Sequence, residues 1–500
     1  MIDKHILLKK YFEANHVMQS NIASYDGFVE WRLQKLIDEI KEAVPAVIPP
    51  EAEEVKFVFG SIKVEKPSIV EADGAKRKIL PSEARIRNLT YAAPIYLEIS
   101  LLVDGKERER TDIEIGQLPV MLKSKLCYLY GLTQKQLIAA GEDPTDVGGY
   151  FIINGTERVL SMLEDLAPNQ IFSTVKKTGP VTHSATIYSA SDMMKLPHKL
   201  ERMKDGTLAL SFASFKRVPV VALIKALGFT KDSDIPRLIN ITGADEEIYT
   251  NLFDFLELKT EDEAKDYLAK AAGMVMAQEQ RIKRAEYMID NFLFPHVGVT
   301  TLDRRMKGYF LGRMVRKLLL LKQGKIARDD EDHYMNKRVR LSGDLLEDLF
   351  RQNLKFLIND MLYIFQRGVR RGKILTITAV VRNILTQRVK SAMATGNWAQ
   401  NRQGVSQRLE RENSLQTISH LQRVASLLES TRELFEARQL HPTHWGRLCP
   451  LESPEGKSIG LRKNLALLAS ITPETKSKDV TETLLAIEEL GLKRFGAENE

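Results

Sequence analysis

The sequence predicts a multidomain protein of the α+β class, and three observations carry this prediction. A chain of 500 residues is too long for one hydrophobic core, and its length corresponds to about three domains. Alternating apolar and polar runs, separated by turn residues, predict strands in the first third of the chain. Long amphipathic runs with helical spacing follow in the middle.

The N-terminal third is expected to hold helices and then hairpins. Its first segment predicts two helices, the second with apolar residues from Phe28 to Ile40 and an end before Pro45. Further along, Asp104-Gly105 and Asn154-Gly155 each separate two strand-like runs. Both dipeptides tolerate the positive φ angles of a tight turn, so we expect a β-hairpin at each.

A separate α+β domain with an acidic surface is predicted between residues 169 and 332. Strands are expected there over Ala185–Ala190 and Leu208–Phe215, and helices over Pro219–Leu227, Glu261–Ala272 and Ala277–Phe292. After this domain, an apolar stripe from Leu345 to Ile364 predicts a long helix that packs against a core.

The charge of the chain is modest in total but uneven in distribution. The formal net charge is +7. Gln366–Arg402 contains eight basic residues and no acidic one, and Arg304–Arg340 contains twelve basic residues against four acidic ones, all within Asp329–Asp332. Such a surface attracts a phosphate backbone through charge and counterion release. A solvated helix face would explain the same composition.

The composition also indicates the cellular compartment of the protein. The only two cysteines, Cys127 and Cys449, are far apart, which excludes a disulfide framework and favours a reducing compartment. No apolar run approaches the roughly 18 residues of a membrane helix, and the N-terminus lacks the pattern of a signal peptide. We therefore expect a cytoplasmic protein without membrane contact.

A nucleotide-binding P-loop is suggested by Glu455–Ser458 but rejected on its context. The motif needs a glycine where Leu451 stands. It also needs a strand before it and a helix after it, and Pro450 and Pro454 interrupt the region. We therefore expect no nucleotide-dependent enzyme built on this loop.

A metal site is suggested by His441, His444 and Cys449, whose spacing would suit zinc. No second cysteine lies nearby, and no acidic residue follows as a His-Glu-x-x-His motif would require. We favour histidines that hydrogen-bond within a rigid loop, and we expect no metal bound by this chain.

The same segment carries the most specific pattern of the sequence. Gln439–Leu465 reads QLHPTHWGRLCPLESPEGKSIGLRKNL, dense in proline, glycine and histidine. It resembles the signature of the second-largest subunit of bacterial, archaeal and eukaryotic multi-subunit RNA polymerases. Further matching segments occur in the family's order: Ile115–Lys125, Gly148–Glu157, Asp329–His333, Arg340–Gly343 and Ala394–Trp398. The residues in these motifs are more similar to those of the archaeal and eukaryotic subunits than to those of the bacterial one. The resemblance covers nearly the whole chain.

The resemblance implies a division into named parts. Residues 1–168 and 333–395 would form the protrusion, 169–332 the lobe, 396–469 the fork and 470–500 the start of the external region. In this family the protrusion and lobe form one wall of the DNA cleft, and the fork lies beside the active centre. The chain resembles the N-terminal polypeptide, B'', of the split archaeal subunit, and the polar tail Gly496–Glu500 favours that interpretation over a fragment.

The resemblance also implies an activity and partners. The chain would be a subunit of DNA-directed RNA polymerase, a nucleotidyltransferase that uses two metal ions. The largest subunit would hold the catalytic Mg²⁺, and the zinc-binding cysteines would lie in the C-terminal half of the subunit. Partners would be the DNA template, the RNA transcript, that C-terminal half as a separate polypeptide and the largest subunit. The alternative is a stand-alone basic nucleic-acid-binding or scaffold protein.

Specific residues follow from the resemblance. Gln407 and Arg423 correspond to family residues that approach RNA or template, with His420 in the same wall. An amide and a guanidinium are suited to sugar and phosphate oxygens. Three signature residues would lie near the nucleotide site: Arg438, Arg447 and Glu452. Glu452 would have a positioning role. The other residues of the fork signature are His441, His444, Glu455 and Lys457. Bracing of the loop is the alternative role for Arg438, Arg447, Glu455 and the two histidines.

Overall fold

A computed structural model describes residues 4–492 with gaps at 15, 177–178, 192–193, 244, 373–375, 382, 400–401, 427, 429–434, 474 and 476. The predicted tail Gly496–Glu500 lies outside the described residues. The chain forms two compact units, one from Met1–Asp165 with Val339–Glu500 and one from Leu166–Arg338. The second unit is therefore an insertion. Both units mix helices and sheet, which confirms the α+β class.

The first unit begins with helices α1 (Lys4–Ala14), α2 (Gln19–Gly27) and α3 (Leu33–Ile40). A π-helical turn joins α2 to α3 without a break, so the two together are the second predicted helix. Phe28, Leu36 and Ile37 are buried along it. The prediction of two helices is confirmed.

A four-stranded antiparallel sheet packs against α2 and α3. Its order is β1 (Glu42–Ala43), β2 (Val55–Val64), β5 (Ala92–Val103) and β6 (Lys106–Pro119), and the connections hold β3 (Ser68–Val70), β4 (Lys76–Lys78) and α4 (Pro81–Ile86). Asp104 and Gly105 turn the chain with φ angles of 48° and 75°, which confirms the first hairpin.

The second hairpin leads to the insertion. After α5 (Gln134–Ala139), strands β7 (Phe151–Ile153) and β8 (Thr156–Leu160) pair around Asn154-Gly155, with φ angles of 50° and 72°. This confirms the prediction. Strand β9 (Met162–Leu166) follows at once and ends at the boundary of the insertion.

The inserted unit holds one antiparallel sheet and a cluster of helices. The strands pair in sequence order: β10 (Ile171–Val175), β11 (Val181–Ala190), β12 (Lys195–Met203), β13 (Leu208–Phe212) and β14 (Phe215–Pro219). The helices are α6 (Val220–Ala226), α7 (Asp234–Ile239), α8 (Asp245–Phe253), α9 (Glu261–Ala271), α10 (Gln278–Phe292) and α11 (Arg304–Lys322). The three predicted helices correspond to α6, α9 and α10 within a residue at each end.

The predicted strand Leu208–Phe215 is wrong, because two strands occupy this stretch. Phe212 and Phe215 are both buried and stack with ring centroids 5.0 Å apart. On one straight strand, residues three apart point to opposite faces. The chain reverses at Ala213, where φ is 46°, so that both rings enter the same core.

The chain returns through β15 (Lys337–Arg340) to a long helix, α12 (Ser342–Arg370), and then α13 (Ile377–Val380) and α14 (Ile384–Thr395). Every residue of the predicted apolar stripe lies in α12, and those side chains are buried in the core of the first unit. Core packing of the stripe is thus confirmed. Across the part of the chain that the structure describes, no helix is both long and apolar enough to span a membrane.

The last elements of the first unit are β16 (Ser406–Arg408), α15 (Ser414–Leu421), β17 (Arg423–Ser426), α16 (Phe435–Arg438), β18 (Arg462–Asn464) and α17 (Ser477–Glu489). Strand β16 joins the β7–β8 hairpin through β8. Strand β17 lies between β9, in parallel, and β18, antiparallel. Short strands thus attach a loop-rich segment to the hairpin and to β9.

One close approach fixes α12 against α2, and it yields a prediction. A Cβ added at Gly343 would lie 2.1 Å from the backbone oxygen of Ser24, whereas one at Gly27 would meet only Trp31 Nε1 at 3.4 Å. We expect Gly343→Ala to lower the free energy of unfolding by about 1–3 kcal/mol through overpacking. Gly27→Ala should be neutral or stabilise by up to about 1 kcal/mol through helix propensity.

Denaturant unfolding followed by tryptophan fluorescence measures this difference. The three tryptophans of the chain, Trp31, Trp398 and Trp445, all belong to the first unit, so the signal reports on that unit. Equal midpoints for Gly343→Ala and Gly27→Ala would contradict the close packing of α12 on α2.

Candidate nucleic-acid interface

Three short strands and one helix position the predicted fork residues. Gln407 lies on β16 opposite Val159 of β8, and Arg423 lies on β17 opposite Asn464 of β18. Helix α15 connects the two strands, and its N-terminus is capped by Asn413, whose side chain accepts the N–H of Gln416 at 2.8 Å. Gln407 and Arg423 are therefore held by backbone pairing at both ends of one helix.

A buried histidine orients the Gln407 side chain. His420 is 1% exposed, and its Nδ1 accepts the backbone N–H of Glu410 at 3.2 Å. Because Nδ1 is an acceptor, the proton of the neutral ring lies on Nε2, which donates to Gln407 Oε1 at 3.1 Å. Gln407 Nε2 in turn donates to the carbonyl of Gly404 at 3.0 Å. The hydrogen-bond network thereby fixes the orientation of the carboxamide.

The environment keeps this histidine neutral. Burial lowers the pKa of His420 to about 4, and the nearby Arg423 guanidinium contributes in the same direction. The neutral ring is the state that can accept from Glu410 and donate to Gln407 at the same time. His420 therefore supports the wall from inside and is not a surface contact.

Arg423 is placed on the same wall but is partly neutralised. Its side chain is 14% exposed, and its two terminal nitrogens donate to the Glu410 carboxylate at 3.3 and 3.5 Å. Burial opposes ionisation of Glu410, but the bonds from Arg423 and Gln416 outweigh it and lower the pKa of that carboxyl group. Glu410 is a residue that the sequence analysis missed, and only its proximity in sequence to Gln407 could have suggested it.

The signature histidines brace a tight turn. His441 caps the 3-10 turn Pro442–His444, because its Nδ1 accepts the Thr443 N–H at 3.2 Å and the Thr443 hydroxyl at 2.7 Å. His444 is buried, with its ring centroid 6.1 Å from that of His441. No group of three or more His, Cys, Asp or Glu side chains arranged for a metal ion occurs among the described residues.

The two signature arginines donate to the loop's own carbonyl oxygens. Arg438 Nη1 donates to the carbonyls of Lys457 at 2.7 Å and Ile459 at 3.1 Å. Gly460 approaches the same arginine so closely that a Cβ would lie 2.1 Å from the Arg438 backbone oxygen. Arg447 is exposed, and its Nη1 donates to the carbonyl of Thr443 at 3.0 Å. Arg438 thus ties together two parts of the signature that lie about twenty residues apart.

Glu452 connects the signature to helix α15. Its carboxylate accepts the hydroxyl of Ser419, and that serine accepts from Asn464 Nδ2 at 3.0 Å. Asn464 is the strand partner of Arg423. The hydrogen bonds from Glu452 through Ser419 to Asn464 therefore connect Glu452 to the strand that carries Arg423. Glu455 and Lys457 are exposed. The structure therefore brings Gln407, His420, Arg423 and Glu452 together around α15.

Only part of the basic segment Gln366–Arg402 forms an exposed basic surface. Arg402 is 11% exposed and lies 3.6 Å from Asp165, an acid distant in sequence, and Arg388 stacks 4.0 Å from the ring centroid of Phe356. Exposed cations remain at the end of α12: Arg367, Arg370 and Arg371. Lys373 and Arg382 lie outside the described residues. Among the described residues, the predicted basic run is therefore exposed only in part.

The sequence analysis also missed an ion pair that anchors this region. Lys463 Nζ lies 2.9 and 3.0 Å from the Glu164 carboxylate oxygens, and both side chains are buried. The carboxylate of Glu164, which directly follows Met162 and Leu163 in β9, was the available signal, because such a group is seldom buried without a partner.

Two family models match this chain. The model described as RNA polymerase beta subunit matches residues 16–388, and the one described as RNA polymerase Rpb2, domain 3 matches residues 407–471. DNA-directed RNA polymerase subunit Rpo2N of Methanocaldococcus jannaschii is 43% identical over 488 residues, which cover 96% of this chain and 97% of that protein. Rpo2N of Methanococcus vannielii is 39% identical over 508 residues, covering 99% and 100%.

Longer relatives match only in part. DNA-directed RNA polymerase subunit Rpo2 of Saccharolobus shibatae is 42% identical over 485 residues, covering 96% of this chain but 42% of that protein. The chain thus spans less than half the length of the Rpo2 relatives and nearly all of the Rpo2N relatives. The chain belongs to the RNA polymerase beta-subunit family and corresponds to the N-terminal half of the second-largest subunit.

Proposed function

We propose that this chain is a subunit of a DNA-dependent RNA polymerase and forms one wall of the DNA cleft and the fork beside the active centre. The observation that carries the proposal is the convergence of Gln407, Arg423 and Glu452 around α15, within a segment that matches the family's third domain. In this proposal residues 1–168 and 333–395 are the protrusion, 169–332 the lobe, 396–469 the fork and 470–500 the start of the external region.

The chain would contribute to template-directed RNA synthesis from ribonucleoside triphosphates by positioning. Nucleotidyl transfer of this kind uses metal ions that stabilise the attacking and leaving oxygens. We assign the catalytic Mg²⁺ to the largest subunit and the zinc-binding cysteines to the C-terminal half. The residues of this chain would orient RNA and nucleotide rather than react with them.

Gln407 would contact the RNA through the second N–H of its carboxamide. The carboxamide oxygen accepts from His420, and one N–H donates to Gly404. The second N–H has no partner among the described residues and is available to a sugar or phosphate oxygen. A neutral, fixed donor of this kind recognises RNA through its sugar and backbone without reading its sequence.

Arg423 would contact phosphate from a braced position. A guanidinium has five N–H donors, and the Glu410 contacts of 3.3 and 3.5 Å leave donors for a second partner. Glu410 would hold the arginine in place before RNA arrives, which reduces the entropy lost on binding.

The exposed apolar side chains of the signature support a protein partner. Trp445 is 86% exposed and Leu451 is 91% exposed, although the loop around them is braced by its own hydrogen bonds. Large apolar side chains exposed on an ordered loop are typical of an interface. We propose that the polypeptide corresponding to the rest of the undivided Rpo2 relatives covers this surface, and that the largest subunit completes the active centre.

Arg423→Ala should slow elongation by the assembled polymerase by about tenfold or more, because a hydrogen bond to a charged group contributes about 1.5–3 kcal/mol. Assembly should remain intact. Single-round elongation on a synthetic RNA–DNA scaffold measures the rate, and gel filtration measures assembly.

A second variant distinguishes direct contact of Arg423 with RNA from a role of Arg423 within the fold. Glu410→Gln removes the brace but keeps the arginine, so direct contact predicts a smaller defect in Glu410→Gln than in Arg423→Ala. Equal defects in the two variants, or loss of assembly in Arg423→Ala, would show that Arg423 acts only within the fold.

His420 should stay neutral to about pH 4, because burial and Arg423 both lower its pKa. In Arg423→Gln the pKa should rise but remain below the ordinary 6.5, since burial is the larger cause. An NMR titration of ¹³C-labelled histidine, assigned with His420→Gln, measures both values. Titration of His420 near pH 6.5 in the parent protein would contradict the buried hydrogen-bonded ring.

The purified chain alone should incorporate no nucleotide, because the proposal places the catalytic carboxylates on another subunit. Incorporation of radiolabelled nucleotide on a primed template measures this, with reconstituted polymerase as the positive control. Template-dependent synthesis by the isolated chain would defeat the proposal.

A further inference from the structure

A cluster of charged side chains joins the proposed fork to the β7–β8 hairpin, and the proposed function does not use it. The buried Tyr150 lies between two arginines. Its hydroxyl accepts from Arg85 Nη2 at 2.8 Å, and the Arg411 guanidinium lies 5.0 Å from its ring centroid. Three acidic residues pair with these arginines: Glu142, Asp146 and Glu157. Of these six residues, Arg411 alone comes from the segment that follows β16.

Arg411 holds two acidic side chains at once. Its Nε donates to Glu157 Oε2 at 2.7 Å, and its Nη2 donates to Glu157 Oε1 at 3.1 Å and to Asp146 Oδ2 at 2.8 Å. The two bonds to Glu157 are side by side, which is the geometry that the planar guanidinium gives with a carboxylate and that an ammonium group cannot reproduce.

The two acidic partners of Arg411 are themselves fixed by other contacts. Asp146 accepts the backbone N–H of Gly148 at 2.7 Å and the Tyr150 hydroxyl at 2.9 Å. Burial raises the pKa of Asp146, but the bonds from Gly148 and Arg411 outweigh burial and lower it. Glu157 lies on β8 and also accepts from Arg85 Nε at 2.8 Å. Arg411 is therefore attached to ionised groups whose positions are set by the hairpin and the loop before it.

These contacts fix the short loop 409–411, which belongs to no helix or strand. Each of its three residues has an attachment. The Leu409 N–H donates to the Glu157 carbonyl at 3.0 Å, the Glu410 N–H donates to His420 Nδ1 at 3.2 Å, and Arg411 binds through its side chain. The Glu410 carboxylate in turn accepts from Arg423. Arg411 is thus the direct neighbour in sequence of the residue that braces Arg423.

We propose that Arg411 is a positioning residue of the fork: by tying loop 409–411 to Asp146 and Glu157, it holds Glu410 where that carboxylate braces Arg423. The inference rests on the proposed function for the role of Arg423 in contacting RNA. A contact that only stabilises the fold would lower the melting temperature without acting through Arg423. The two roles are therefore separable by experiment.

A double-mutant cycle in the assembled polymerase makes this separation. Arg411→Gln is introduced into the parent subunit and into Arg423→Ala, and Arg411→Lys tests whether charge without the paired donors is sufficient. The matched control is Arg351→Gln, because Arg351 also joins two acidic residues of the first unit, Glu39 and Glu347, but lies on α12. Circular dichroism melts of the full chain measure the cost of each variant to the fold.

Arg411→Gln should slow single-round elongation at saturating nucleotide by about threefold or more in the parent, and by less than about 1.5-fold in Arg423→Ala. The second effect is smaller because no arginine remains for Glu410 to brace. Arg411→Lys should give an intermediate rate, and Arg351→Gln should keep the parent rate. Equal slowing by Arg411→Gln in both backgrounds, or slowing by Arg351→Gln as large as that by Arg411→Gln, would overturn the inference.

The His420 ring gives a readout that does not depend on polymerase activity. Loop 409–411 bonds to this ring, so its release in Arg411→Gln should reduce burial and raise the pKa of His420 from about 4 toward 6.5. An NMR titration of the full chain with ¹³C-labelled histidine measures this, and Arg351→Gln should show the parent value. An unchanged pKa in Arg411→Gln would show that Arg411 does not hold the loop.

The two experiments also distinguish failure of this inference from failure of the proposed function. Slow elongation by Arg423→Ala together with parent-like elongation by Arg411→Gln would overturn only the positioning role. Parent-like elongation by Arg423→Ala would overturn the proposed RNA contact and, with it, the role of Arg411 in elongation, even if the His420 titration responds.

Discussion

The buried pair of Glu164 and Lys463 is the constraint on which the arrangement of the signature depends. Lys463 on β18 reaches across β17 to Glu164 on β9, so one contact joins two strands that lie about three hundred residues apart in the chain and encloses β17 between them. Each partner alone would leave a charge buried without compensation, at a cost of about 3–5 kcal/mol. The end of the signature is therefore tied to the strand that directly precedes the insertion.

With β18 fixed in this way, the wall around α15 can be built from short elements. Strand β17 has only four residues, and α15 only eight, so neither would be stable alone. Their position is set by pairing with β9 and β18 and by the buried His420. Because His420 is neutral, it links Gln407 to the backbone of Glu410 without adding charge near Arg423.

The sequence predicts the regular parts of this fold well, for identifiable reasons. The Asn154-Gly155 hairpin and helix α12 follow from local chemistry, a dipeptide that tolerates positive φ and an apolar stripe with helical spacing. The division of Leu208–Phe215 into two strands escapes such rules, because it depends on burying Phe212 and Phe215 in one core. The partners of Arg402 and Lys463 were equally hidden, since Asp165 and Glu164 lie more than two hundred residues earlier.

Under the proposed function, the two arginines that are braced within the fork are suited to moderate binding of RNA. Arg423 has an acidic partner and Arg438 has carbonyl acceptors within the fold, which fix their geometry and lower the free energy gained from any added phosphate. Such moderate binding is suited to RNA that must advance after each nucleotide addition.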